Sequence, residues 1–115
     1  MEIMASHEAL VRSFYAAFAT GDRDAIDTLL SDDLRFSAPP DPHLDKAGWF
    51  ERCWANRHLV APEQEIDLVL EDGGDVVVRY LATRENGEQF RNLEYFHVDE
   101  TGKIDAVQVY FGANL

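Results

Sequence analysis

At 115 residues, 46% of them hydrophobic and 28% charged, the chain has enough apolar material for one compact core and too little length for a second domain. Its 22 acidic against 10 basic residues give a net charge of −12, a field that repels phosphate backbones and anionic lipid and so argues against nucleic-acid and membrane partners. No apolar run approaches bilayer-crossing length, the N-terminus lacks a basic leader followed by an apolar stretch, and Cys53 is the lone cysteine; these predict a reducing, cytoplasmic setting without an internal disulfide or an all-cysteine zinc site.

In chain order, Ser6 is placed to cap a first helix, with Glu8 in its first turn and Leu10, Phe14, Ala17 and Phe18 on one face at helical spacing. Gly21 ends it, and Asp22 or Asp24 caps a short second helix that turns Ile26, Leu29 and Leu30 inward. A brief extended piece over 34–37 stops at Pro39 and Pro40, because proline fixes its own φ and restricts the residue before it. The stretch 38–45 then reads as a rigid loop, and Asp45 caps a third helix carrying Trp49, Phe50, Cys53 and Trp54 with Glu51 and Arg52 outside. From Glu63 the pattern alternates, giving four strands punctuated by Gly73-Gly74, Asn86-Gly87 and Thr101-Gly102, which suit hairpin turns. Helices first and an antiparallel meander afterwards is an α+β arrangement; a long twisted sheet with helices on one side curls around them and leaves a cavity at its open end.

The strings FYAAFATGDRDAIDTLLSDDLRF and EYFHVDETGKIDAVQVYFG carry a resemblance to the SnoaL-like branch of the nuclear transport factor 2 superfamily over nearly the whole chain. The resemblance implies a single domain over 1–115 with a cone-shaped α+β barrel, three N-terminal helices packed on a curved, mainly antiparallel sheet. It does not choose a function, since the superfamily holds isomerases, cyclases, dehydratases, epoxide hydrolases and non-enzymatic transport factors. Against the pattern of the ketosteroid isomerases, Phe14 stands where that family has a hydrogen-bonding tyrosine, Ala38 stands where it has its base aspartate, and Glu94 keeps the acid on the penultimate strand. Tyr15, one position on, is rotated by about 100° around the helix and is expected to face elsewhere.

Strand alternation puts Glu94 and Phe96 on one face, which the resemblance points inward, and Leu93, Tyr95 and His97 on the other. A carboxyl among apolar neighbours has its pKa raised by desolvation, which suits a general acid or proton shuttle. By the same resemblance Arg79 projects into the cavity beside Glu94, as an electrostatic partner or as half of a structural ion pair. Asp41 and His43 lie near the cavity mouth as candidate bases. Three metal ligands from one short loop rarely converge, so Asp41, His43 and Asp45 predict no metal, and no cofactor motif occurs. Phe14, Phe18, Phe36, Trp49, Trp54, Phe96 and Phe111 are core residues first and candidate walls for a small apolar ligand second. The expected function is binding of a small apolar organic molecule in an internal cavity, with cofactor-independent isomerase, cyclase or dehydratase chemistry if catalytic. The alternative is a non-catalytic ligand-binding or dimerisation module, with a homodimer through an apolar patch on Tyr95, His97, Gln108 and Tyr110.

Overall fold

The computed structural model describes residues 7–57 and 63–114, with nothing stated of the side chains of Glu63 and Asn114. The expected Ser6 cap lies outside the described residues. Helix α1 (His7–Thr20) is followed by α2 (Arg23–Leu29), strands β1 (Leu30–Ala38) and β2 (Asp41–Leu44), helix α3 (Lys46–Trp49) continuing into a wider π-helical turn over Phe50–Trp54, and strands β3 (Glu63–Asp72), β4 (Asp75–Thr83), β5 (Gln89–Val98) and β6 (Ile104–Asn114).

The six strands form one sheet in the order β2-β1-β6-β5-β4-β3. All pairings are antiparallel except that of β1 with β6. The sheet is curved and unclosed, with the helices on its concave side, as an α+β cone. Register shifts in the β1–β6, β3–β4 and β5–β6 ladders bend it, since an extra residue in one strand increases local twist. At the β5–β6 shift Gly112 lets the backbones approach so closely that an added Cβ would fall 2.4 Å from the Arg91 carbonyl oxygen, so only glycine fits there.

Two caps form as predicted: Asp22 accepts from the Ala25 amide at 3.1 Å and Asp45 from the Gly48 amide at 2.8 Å. Two elements differ. Leu30 begins β1 instead of ending α2, and the segment after Pro40 is strand β2, paired with β1 through Phe36 and Leu44, where a loop was expected. The third helix opens to π geometry, with the Ala55 amide reaching back to the Phe50 carbonyl at 3.1 Å. Lys46 fixes this helix to the α2–β1 junction by donating to the carbonyls of Asp27 and Leu30.

The core lies between α1 and the sheet. The inward stripe of α1 is Val11, Phe14, Tyr15 and Ala17, with Phe18 packed at its end. Phe14 is the aromatic hub, its ring 5.4 Å from Phe96, 5.8 Å from Trp49 and 5.6 Å from Tyr15 between centroids. Among the described residues, no helix is long and apolar enough to cross a membrane.

Candidate active site

The inward face of β5 is Phe90, Asn92, Glu94, Phe96 and Val98, all buried, as the period of two requires. Across β4 the register sets Tyr80 opposite Asn92 and Val78 opposite Glu94. Asn92 and Glu94 are thus a polar pair inside an otherwise apolar wall; with Ser31 they are the buried polar side chains of the described structure.

They open onto a cavity of about 260 Å³ between α1, the third helix and the sheet. Phe14, Phe18, Phe36, Trp49 and Phe111 line it as expected from the sequence, whereas Trp54 and Phe96 belong to the core behind it. Phe111 stands at the mouth and is 59% exposed, because β6 runs past the rim of the cone there.

Glu94 is buried, and its pKa is pushed up to about 7. Desolvation is the largest cause; hydrogen bonding from Tyr80 and then Tyr15 opposes it by favouring the carboxylate. The same burial, with the neighbouring carboxyl, raises both phenols, so each stays protonated and available as a donor. Asn92 Nδ2 donates to the Tyr80 hydroxyl at 3.2 Å, leaving the Tyr80 proton for Glu94. The Tyr15 hydroxyl is buried without a hydrogen bond of ordinary geometry, so its contact with Glu94 is long or bent and leaves it able to turn to a ligand.

Tyr15 therefore corrects the sequence expectation. It faces the cavity, its ring 5.6 Å from Tyr80 and 5.8 Å from Phe96. The concave sheet wraps far enough round α1 to bury two adjacent helical positions, so the rotation between Phe14 and Tyr15 does not separate them from one cavity.

Arg79 is a second correction. Val78 and Tyr80 point in, so Arg79 points out, where its guanidinium bonds Asp67 at 2.7 Å beside Arg91. Asp67 is the extra residue of the β3–β4 bulge, which turns its carboxyl to these two arginines and holds its pKa below the usual range. Glu94 consequently has no cationic partner through Arg79. His43 is the third correction: it is exposed on β2 and borders an outer groove with Tyr95 and His97, away from the cavity. Asp41 does reach the cavity, at its mouth and opposite Ala38 on β1, but it is bonded to Arg52 at 2.6 Å.

Sequence reasoning passed over Tyr80, Asn92, Gln64 and Arg84, all of which line the cavity. Arg84 lies beside the Asn86-Gly87 turn, and its guanidinium sits 4.5 Å over the Phe90 ring and so reaches the mouth. The parity of Asn92 with Glu94 on one strand was the available signal. Cys53 faces the cavity from the π-helical turn, and burial pushes its thiol up to about 11, which makes it a poor nucleophile. Among the described residues no group of three or more histidine, cysteine or carboxylate side chains gathers as a metal site.

An unclosed α+β cone, with helices on a curved, mostly antiparallel six-stranded sheet, is the architecture of the nuclear transport factor 2-like class. Within it the chain belongs to the SnoaL-like domain family, whose pattern matches residues 11–107. None of the curated proteins matches the sequence significantly. Among solved structures it is similar to an NTF2-like protein of unknown function from Cytophaga hutchinsonii, with TM-score 0.76, 23% identity and coverage of 96% of this chain and 94% of that one. A candidate ketosteroid isomerase from Kribbella flavida gives TM-score 0.79 at 17% identity, covering 93% and 78%. IdmH, a candidate polyketide cyclase from Streptomyces antibioticus, gives 0.74 at 19%, covering 92% and 91%. At these identities the likeness establishes the shared fold.

Proposed function

We propose that the protein binds a small, largely apolar carbonyl compound in the cone and moves a proton between carbon and oxygen sites of it, without a cofactor, using Glu94 as the acid and base. The observation that carries this reading is the buried Glu94 carboxyl at the inner end of an aromatic cavity, poised near neutrality with two phenols beside it. As carboxylate, Glu94 removes a proton from the carbon next to the carbonyl. The bonding pair of that C–H bond moves into an enolate, and the Tyr15 O–H is near enough to hydrogen-bond the oxygen that gains charge. Protonated Glu94 then returns the proton to the same or a conjugated carbon. Isomerisation, aldol-type cyclisation and dehydration all begin with this abstraction, and the similarity in fold to a candidate isomerase and a candidate cyclase agrees with it.

The test is α-hydrogen exchange of β-tetralone in deuterium oxide, followed by proton NMR. Wild-type protein accelerating exchange, with Glu94→Gln slower by about 10²-fold or more, supports the reading. Equal rates for the two proteins, at full occupancy of both, sink it.

The rival reading of a non-catalytic module expects a broad apolar patch on the outer sheet face. There Tyr95 donates to Asp75 at 2.5 Å, Tyr110 to Gln108 at 2.9 Å, and His97 pairs with Asp105 at 2.6 Å, so the face is polar and largely satisfied within the chain. Tyr110, 53% exposed, is the contact we assign to a homodimer through this face. Sedimentation equilibrium checks it: a dimer that Tyr110→Glu dissociates is the expected result, and a wild-type monomer removes the dimer.

A further inference from the structure

Asn92 is buried at the inner end of the cavity, and its two amide atoms are treated unequally. Nδ2 donates to the Tyr80 hydroxyl, whereas Oδ1 is enclosed and has no donor within reach among the described residues. Its surroundings explain why. On its own strand the inward neighbours are Phe90 and Glu94; across the sheet it faces Tyr80 on one side and Phe111 on the other. Phe90 and Phe111 have no polar hydrogen. The Tyr80 oxygen receives the Asn92 amide at Nδ2, so its hydroxyl sits on that side of the amide and not on Oδ1. A buried carbonyl oxygen left without a donor is destabilising, and such atoms persist in native structures chiefly where something else completes them. Here the side chain that carries the atom lines an aromatic cavity of about 260 Å³ with an open mouth, room enough for a bicyclic ring system.

We infer that Asn92 Oδ1 is a specificity-determining acceptor, and that the molecule this cavity takes is a flat apolar ring compound carrying an O–H or N–H group that donates to it. The inference rests on the proposed cavity function and deepens it: besides the carbonyl that Glu94 and Tyr15 would address, the ligand brings a hydroxyl or ring N–H about one side-chain repeat further along β5. A site built to accept a hydrogen bond rejects the analogue lacking the donor more strongly than an apolar pocket rejects one extra methylene. Asn92 is in this reading a binding residue, distinct in role from the proton-carrying Glu94.

The experiment is calorimetric titration of the purified protein with β-naphthol, β-fluoronaphthalene and β-methoxynaphthalene, at about pH 5.5, where Glu94 holds its proton and is a weaker acceptor for the hydroxyl than its carboxylate. Wild-type protein is expected to bind β-naphthol about tenfold more tightly than either analogue, the size of effect one hydrogen bond provides. Asn92→Leu is expected to lose that preference while still binding the fluoro compound, and Asn92→Asp, which keeps an oxygen in place, to retain it. If Asn92→Leu fails to fold, Asn92→Ala takes its place with the same expected loss of preference. Equal affinity for the three probes overturns the inference and leaves the proposed cavity function standing. A preference for the methoxy compound means that the amide presents Nδ2 to the cavity and overturns it as well. Binding of none of the three overturns both.

Discussion

The two faces of strands β4 and β5 are built from alternate residues of the same segments and handle polar groups in opposite ways. Outside, Arg79 and Arg91 share Asp67, Tyr95 is bonded to Asp75 and His97 to Asp105; each group is partnered and in contact with water. Inside, one residue away in sequence, Tyr80, Asn92 and Glu94 have lost water and are short of partners: among the described residues Glu94 lacks a cation, Asn92 Oδ1 lacks a donor, and the Tyr15 hydroxyl opposite them lacks a well-formed bond. More formal charge stands on the outer face, yet the chemical leverage is on the inner one. A solvated ion pair is worth little and is screened, while burial without a cation pushes the Glu94 pKa up to about 7.

That contrast is broken most severely at Glu94. Beyond its effect on proton transfer, the raised pKa couples stability to pH with a definite sign. The unfolded glutamate releases its proton near 4.5 and the folded one near 7, so between these values the native state holds the proton and the unfolded state does not. Stability must therefore fall as pH rises through this window and level off above it, by about 3 kcal/mol for this group. Urea denaturation of wild type and Glu94→Gln measured from pH 5 to 8 should show this slope in the first and its absence in the second, with Gln the more stable protein at the alkaline end. Parallel profiles would mean that Glu94 is hydrated in solution.

The two phenols come next. Both favour the carboxylate of Glu94, Tyr80 more than Tyr15, so Tyr80→Phe and Tyr15→Phe should each raise the Glu94 pKa above 7, the first by more. Carbon-13 NMR titration of the Glu94 carboxyl reads this directly. Tyr80→Phe also strips the Asn92 amide of its acceptor, at a stability cost on the order of 1–3 kcal/mol. A downward shift in either variant would show that the phenols accept from a protonated Glu94 instead of donating to it.

How much of this was legible in the sequence follows from the same alternation. The four β-strands of the meander, the two helix caps and most of the aromatic wall follow from periodicity and short-range chemistry, which act within a few residues, whereas alternation pairs Glu94 with Phe96 on one face and the family resemblance turns that face inward. The Arg79 placement failed because it depends on register. A two-residue turn on Asn86-Gly87 would pair Glu85 with Glu88 and hence Arg79 with Glu94; the observed loop closes with the Arg84 amide on the Glu88 carbonyl and pairs Thr83 with Gln89. One residue of loop length thus exchanges Arg79 for Val78 opposite the acid. Tyr15 was missed for a tertiary reason: the width of a helix's buried face is set by how far the sheet wraps it, which no local pattern encodes. Strand β2 likewise owes its existence to the β1 edge it pairs with. Asn92 was within reach, since parity with Glu94 alone places it in the cavity.

The smallest effects belong to the outer face and serve as its controls. Arg79→Ala should relax the Asp67 pKa upward toward the ordinary aspartate value, with little change in the urea midpoint and none in the Glu94 titration, because Asp67 keeps Arg91 and water. His97 offers the finer test. Its bond to Asp105, helped by nearby Asp75 and Asp99, raises its pKa, so the pair contributes stability at acid pH, fully present below the unfolded histidine value and lost as pH rises through the folded one. Asp105→Asn should lower the His97 pKa, seen by proton NMR of the imidazole, and remove that small acid-side contribution. Its dependence on pH runs through a neighbouring charge in water, whereas that of Glu94 runs through the loss of water. Added salt should therefore shrink the His97 shift and leave the Glu94 shift in place; if salt moves both alike, the inner face is wet and the distinction between the two faces falls.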